Sequence, residues 1–129
     1  MQSIHFKHEL KAMDEMTARR EYFFADLIKA TSVIYGEPVS ALVGDRRDRR
    51  MTRLRWRCFW LGRIELGLTY TQIGTLFRRD HTTIMHGVTK YDDLAEEAGE
   101  REAREQLKET ATAIARGELT REAADDQPQ

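Results

Sequence analysis

The run Thr69-Tyr70-Thr71-Gln72-Ile73-Gly74-Thr75-Leu76-Phe77 is followed at once by Arg78-Arg79 and then by Asp80-His81-Thr82-Thr83-Ile84-Met85-His86. The first run opens on threonines able to cap a helix, at Thr69 or Thr71, and places Ile73, Leu76 and Phe77 on its apolar side. The paired arginines interrupt that pattern. Asp80 then supplies a second cap, and the residues after it predict a helix through Lys90 to about Ala98, with Ile84, Met85 and Val88 turned toward the core. A short helix, a tight break and a second helix with a polar opening form the pattern of a helix-turn-helix, whose second helix presents its amino end outward.

Working outward, the preceding segment from about Arg53 to Leu66 repeats Leu54, Cys58 and Leu61 on successive turns, with Thr52 as its expected cap and Gly67 as its stop. Before it stands the arginine block Arg46, Arg47, Arg49 and Arg50. The stretch Glu37–Gly44 reads as a short helix with Pro38 near its start and Gly44 after its end. From Phe6 to Tyr35 there is no helix breaker, which predicts one or two helices ending at Gly36. On the other side, Glu100 to about Ala115 forms a charged helical segment with few apolar residues, chiefly Leu107 and Ile114. The end of the chain beyond Gly117 has the composition of a disordered tail. Only 2 prolines and 8 glycines punctuate the 129 residues, and no strand pattern competes, so the predicted fold class is all-α. The one cysteine, Cys58, excludes an internal disulfide and shares a face with Leu54 and Leu61, where core packing accounts for it. No apolar run approaches the roughly 18 residues of a membrane span and no secretory leader is visible, which gives the expectation of a cytoplasmic protein without a membrane partner.

The net charge of −1 conceals a strong asymmetry. Residues 46–90 carry 11 Lys and Arg against 3 Asp and Glu, a net of +8, whereas residues 1–45 carry −2 and residues 91–129 carry −7. A basic centre between acidic flanks calls for a polyanion as its partner, and a helix-turn-helix within that centre narrows it to double-stranded DNA. The opening Asp80-His81-Thr82-Thr83 has the chemistry of base recognition. Aspartate accepts from cytosine N4, histidine donates or accepts, and threonine offers a hydroxyl together with a methyl for thymine.

These residues also carry a resemblance. Arg79-Asp80-His81-Thr82-Thr83-Ile84-Met85-His86 resembles the hallmark of the C-terminal DNA-binding domain of the bacterial replication initiator DnaA. Val39-Ser40-Ala41-Leu42 is similar to that family's short helix, Arg46–Arg50 to its basic loop, Arg53–Glu65 to its long helix and Tyr70-Thr71-Gln72-Ile73-Gly74 to the first helix of its helix-turn-helix. The similarity runs from about Ala25 to Leu94. It implies a Trp-repressor and DnaA type of helix-turn-helix bundle with extra helices at both ends. Three parts are expected: an N-terminal helical extension over residues 1–24, the DNA-binding domain over 25–95, and an acidic helix and tail over 96–129. By position, the resemblance implies that Arg47, within Arg46–Arg49, enters a minor groove. It further implies that Arg55 and Arg63 hold backbone phosphates, that Asp80, His81, Thr82 and Thr83 read bases, and that His86 and Lys90 extend the same face; Arg79 is expected among the minor-groove or phosphate contacts.

The departures are specific. Arg78 alone precedes Arg79 where the family usually has two glycines, so the turn is shorter and more cationic. Trp56 stands at a family glutamine, Leu54 at a frequent proline and Thr89 at a basic residue, which implies a preferred site different from the family's standard one. Trp56 and Trp60 lie four apart; at least one is expected in the core, and Trp56 is a candidate for the DNA edge. The 129 residues hold no GxxxxGK[ST] loop, so ATP hydrolysis and nucleotide binding are not expected, and the match reads as the DNA-binding domain alone. His81 and His86 are five apart, a poor spacing for one metal on a helix, and no cofactor is expected. His5 and His8 are expected at the surface. Asp92-Asp93 and Glu96-Glu97 come without a nucleophile and read as solvated surface, so the chain is not expected to be an enzyme. The predicted function is sequence-specific DNA binding, first as a transcription regulator and second as a regulator binding replication-origin sites. A protein adaptor with weak DNA binding, recruiting transcription or replication machinery through its terminal helices, is the reading of another class. The acidic segment Glu96–Ala115 is expected to face away from DNA.

Overall fold

Phe24, Phe59 and Phe77 come from three separate parts of the chain and meet edge to face, with ring centroids 5.9 Å apart for Phe24–Phe77 and 4.8 Å for Phe59–Phe77. In the computed structural model, which describes residues 3–119 and the side chains of residues 15–119, these rings bridge three of the helices, and the described residues form six helices in all. They are α1 (Ser3–Tyr35), α2 (Val39–Val43), α3 (Arg49–Trp60), α4 (Tyr70–Phe77), α5 (His81–Asp92) and α6 (Ala98–Ala115). One π-helical turn, Leu61–Glu65, prolongs α3. The fold is all-α, with no strand among the described residues. The side chains of His5 and His8, and the acidic end expected to be disordered, residues 120–129, lie outside the described residues.

Local chemistry sets most of the boundaries. The breaker-free stretch forms one helix, α1, closed by Gly36 at φ +67° with its N–H on the Ser32 carbonyl at 2.9 Å. Leu66 N–H reaches back to Leu61 O (3.0 Å) and Leu68 N–H to Gly62 O (2.9 Å), so the chain leaves α3 through the wide turn and reverses at Gly67, φ +69°. Thr69 caps α4 in a reciprocal capping box with Gln72.

Three boundaries and one side chain differ from the sequence expectation. Asp48, not Thr52, caps α3: its carboxylate accepts from Met51 N at 2.9 Å, so the helix starts four residues earlier and Thr52 lies inside it. α5 stops at Asp92 rather than near Ala98. The chain turns there through Leu94 and Ala95, and α6 begins at Ala98, before the expected Glu100. No glycine or proline marks that break; the chain passes through two tight turns, with Leu94 N–H on Tyr91 O at 2.8 Å and Glu97 N–H on Leu94 O at 3.0 Å. Met85 is 43% exposed, whereas Ile84 and Val88 are buried. One residue is a 100° rotation on a helix, and the inward face of α5 runs through Ile84, Gly87, Val88 and Tyr91 instead.

The helix-turn-helix of α4 and α5 rests on α3, and α6 packs along α1 through the buried residues Leu107, Ala111 and Ile114. Spacings of four and three make these one narrow stripe. The polar end of that contact is a buried network in which Arg57 donates to Glu100 (Nε–Oε1 3.1 Å) and Tyr35, while Tyr91 donates to Glu100 at 2.8 Å. Cys58 is fully buried, as expected from its face, within 3.3 Å of the Thr31 hydroxyl, and burial pushes its thiol up to about 11.

Candidate nucleic-acid interface

α5 presents its first turn to solvent. His81, Thr82, Thr83, Met85, His86, Thr89 and Lys90 are all exposed, opposite the buried Ile84, Gly87, Val88 and Tyr91. Asp80 is committed to holding this end of the helix. Its carboxylate accepts from Thr82 N at 3.3 Å and lies 2.9 Å from His81 Nδ1, and the Thr82 backbone N–H holds its carboxyl below the usual aspartate range. It thereby orients the His81 ring from the first turn. Thr89 returns its hydroxyl to the Met85 carbonyl at 3.0 Å, which leaves its methyl outward.

The position of α5 depends on close approach at two glycines. A Cβ on Gly87 would lie 2.7 Å from Trp56 Cδ1 and 2.7 Å from Phe59 Cδ2, so α5 crosses α3 nearer than any side chain at that position allows. Trp56 lies half-buried across this crossing, its ring edge-on to His86 with centroids 6.5 Å apart. Trp60, also half-buried and one turn further along the same face of α3, instead donates to Asp92 at 3.1 Å. A Cβ on Gly74 would lie 2.4 Å from the Arg79 carbonyl, so the turn passes directly over α4. That turn is Arg78 in the left-handed region (φ 56°, ψ 43°), then Arg79, then the Asp80 cap.

The arginines expected at the interface divide into two groups by their partners. Arg55 is 5% exposed and donates to four carbonyls, Leu42 (2.7 Å), Arg46 (2.5 Å), Ala41 (2.9 Å) and Gly44 (3.1 Å). These are the open carbonyls at the carboxyl end of α2 and the start of the loop, which have no helical partner of their own. Burial and the neighbouring Arg79 charge bring the Arg55 guanidinium down to about 10, still protonated at neutral pH. Arg79 donates to Phe77 O at 2.8 Å and to Gly44 O at 2.6 Å, fastening the turn to the same loop. Arg63, half-buried, reaches Leu68 O at 3.2 Å and stacks 4.8 Å from the Tyr70 ring centre. Arg46 is paired with Glu37 and Asp48, and Arg50 with Glu37. Arg47 and Arg49 are exposed and make no hydrogen bond or ion pair among the described residues.

A cleft of about 630 Å³ joins the arginine loop to the start of α5, lined among others by Arg47, Thr52, Trp56, Arg78, Arg79 and Thr83. It brings Arg47 and Thr83, 36 positions apart in sequence, onto one opening, whereas Arg63 and Lys90 do not line it. Thr52, Arg78 and Met85 are outside the set marked from the sequence. Arg78 was legible as the second charge of an Arg-Arg turn; Thr52 and Met85 needed the helix rotations.

Against this geometry, the bacterial DnaA protein helix-turn-helix family model matches residues 24–90, just over half of the chain. The chain belongs to the bacterial DnaA helix-turn-helix family. The match begins at Phe24 inside α1 and ends at Lys90 inside α5, so the loop, the turn and the cleft all fall within the DnaA-type domain and α6 falls outside it. The chromosomal replication initiator protein DnaA of Caulobacter vibrioides is 36% identical over 73 residues, 56% of this chain and 15% of that protein. The proteins of the same name from Herpetosiphon aurantiacus and Thermomicrobium roseum are 38% identical over 85 residues and 36% over 88, covering 64% and 65% of this chain. The chain spans 15–19% of the length of these relatives. No solved structure matches it.

Proposed function

We propose that this chain binds double-stranded DNA sequence-specifically, with the amino end of α5 in a major groove and the loop arginines in the minor groove beside it. The observation that carries this is the single cationic cleft onto which Arg47, Arg78 and Thr83 open, continuous with the exposed turn His81–Thr83. His81, Thr82, Thr83 and His86 are the proposed base readers, with Asp80 setting the His81 ring. Arg47 and Arg49, unpaired within the protein, are the proposed contacts from the loop, and Lys90 a phosphate contact along α5. Arg55 and Arg79 act one step back, holding the loop to the turn so that both grooves are met in register, which is how positioning and readout divide in such interfaces.

As the setting we propose regulation of transcription. α6 lies along α1, away from the cleft, and turns Glu102, Glu105 and Glu109 to solvent, where a protein partner can dock while DNA is held. The second reading is binding at replication-origin sites; the name of the relatives, chromosomal replication initiator protein, favours it. Selection of bound duplexes from a random pool tests both. An enriched sequence is expected, and its genomic positions, before transcription starts or clustered at an origin, choose between the settings. Replacing His81 or Thr82 by Ala should cost about 1–3 kcal/mol on that sequence and little on random duplex. Failure to enrich any sequence, or equal losses on both DNAs, would overturn the proposal.

A further inference from the structure

Glu37 stands between α1 and α2, and the chemistry attributed to the arginine loop does not use it. It is 8% exposed, a rare state for a glutamate, and both carboxylate oxygens are taken by arginines of the block. Oε2 accepts from Arg46 Nη1, and Oε1 accepts from Arg50 Nη1 at 2.6 Å. Each arginine has a second tie. Arg46 Nε donates to Asp48 at 2.7 Å, while Arg50 Nη2 donates to the Tyr35 carbonyl at 2.6 Å with its guanidinium 5.9 Å from the Tyr35 ring centre. Arg47 and Arg49, between them in sequence, have no such tie among the described residues. The block is therefore sorted: its outer arginines turn back onto the protein and its inner two are left to solvent.

We propose that Glu37 is a positioning residue for DNA binding, which withholds Arg46 and Arg50 from phosphates so that Arg47 and Arg49 meet the duplex from a fixed loop. This rests on the DNA-binding function proposed above. The guanidiniums are half-exposed, with side-chain accessibilities of 47% and 49%, and on their own could rehydrate at little cost. The carboxylate is at 11% and could not, because a buried charge stripped of its partners bears the full desolvation penalty. The buried partner thus fixes the exposed ones. Two mobile arginines beside the interface would add affinity for any phosphate backbone without reading sequence; pairing them to Glu37 keeps the loop from gripping DNA indiscriminately.

The test is a salt series on the full chain, using a random-sequence duplex and a selected one. Glu37→Gln keeps the shape and removes the charge. The slope of log affinity against log salt on random duplex should steepen by one to two contacts, about 0.9 each. Random-duplex affinity at low salt should rise, and the preference for the selected duplex should fall. Adding Arg46→Gln and Arg50→Gln to that variant should revert the gain. If Glu37 merely supports the loop, Glu37→Gln weakens both duplexes with no steeper slope, and the triple variant recovers nothing; that result overturns the proposal. Thermal melts of each variant identify any that has lost its fold; in that case Arg46→Gln and Arg50→Gln, each alone in the otherwise unchanged chain, decide the matter, because the slope should keep its wild-type value if these arginines are withheld and a slope shallower by about 0.9 would overturn the proposal. A wild-type chain that binds neither duplex in a salt-dependent manner would instead sink the DNA-binding function itself, and is read without any variant.

Discussion

Arg78 is the only residue other than glycine with a positive φ among the described residues, and it sits between the two helices that define the family. An L-side chain in this region costs about 1–2 kcal/mol, and glycine avoids that at the expense of a more flexible unfolded chain. Arg78 lines the cleft, which gives a reason for an arginine at a position that favours glycine. Arg78→Gly is therefore expected to stabilise the fold by up to about 1 kcal/mol, raising Tm by a few degrees, while the salt slope of DNA binding shrinks by about one unit. Melting curves and a salt titration check the two halves separately. Lower Tm would show that the side chain has a structural role, and an unchanged slope would remove Arg78 from the interface.

At the scale of elements, the helix-turn-helix is held by what is missing as much as by what is present. Gly87→Ala would place a methyl 2.7 Å from both Trp56 and Phe59, side chains already packed into the α3 face. Overpacking of this kind typically costs about 1–3 kcal/mol. Because relief requires those rings or α5 itself to shift at the crossing that carries the base-reading turn, the variant should lose preference for its selected duplex more than affinity for random DNA. A variant that melts lower yet keeps its preference would show that the crossing sets stability alone. Both glycines were visible in the sequence, Gly74 within a quoted motif, but nothing local marked them as contact points. By contrast, Thr69, Asp80 and Gly67 act within a few residues of themselves, and their roles as cap or stop were legible. The end of α5, the Asp48 cap and the inward turn of Arg55 were not, for one physical reason. Each is decided by a partner distant in sequence or by competition between neighbouring caps: Tyr91 by Glu100, Arg55 by the carbonyls of α2, and Thr52 by an aspartate four residues upstream. The charge asymmetry and the Arg79–His86 motif, local features both, were enough to point to the cleft.

At the scale of the whole fold, α6 is integral to the bundle formed by the described residues. Leu107, Ala111 and Ile114 are at most 1% exposed, so removing α6 would open the core and confound any DNA measurement. Its anchor is Glu100. Burial alone would raise the Glu100 carboxyl, but the Tyr91 hydroxyl and the Arg57 guanidinium outweigh it and hold the group below the usual glutamate range. A depressed folded value means that this stabilisation is complete above the unfolded glutamate range, near pH 4.3, and is lost as pH falls through the folded one. Glu100→Gln should cost about 3 kcal/mol at neutral pH by leaving Arg57 buried without its counter-charge. Its penalty should shrink in acid; a Tm difference from wild type that is constant down to pH 3 would count against the network. The outer face of α6 can be tested without touching that anchor. Glu97, Glu102 and Glu109 are exposed, and exchanging all three for Gln removes three negative charges while leaving the buried stripe intact. If the acidic face stands clear of DNA, random-duplex affinity should rise less than about threefold at 0.1 M salt, where the screening length is about 10 Å. If it instead covers Arg47 and Arg49 in the free protein, affinity should rise tenfold or more at low salt and not at all at high salt, since only the uncovering of opposed charges is so strongly screened. The packing of α6 along α1 favours the first outcome, because Leu107, Ala111 and Ile114 hold the helix in the core and its Glu100 is taken by Arg57 and Arg53 rather than by Arg47 or Arg49.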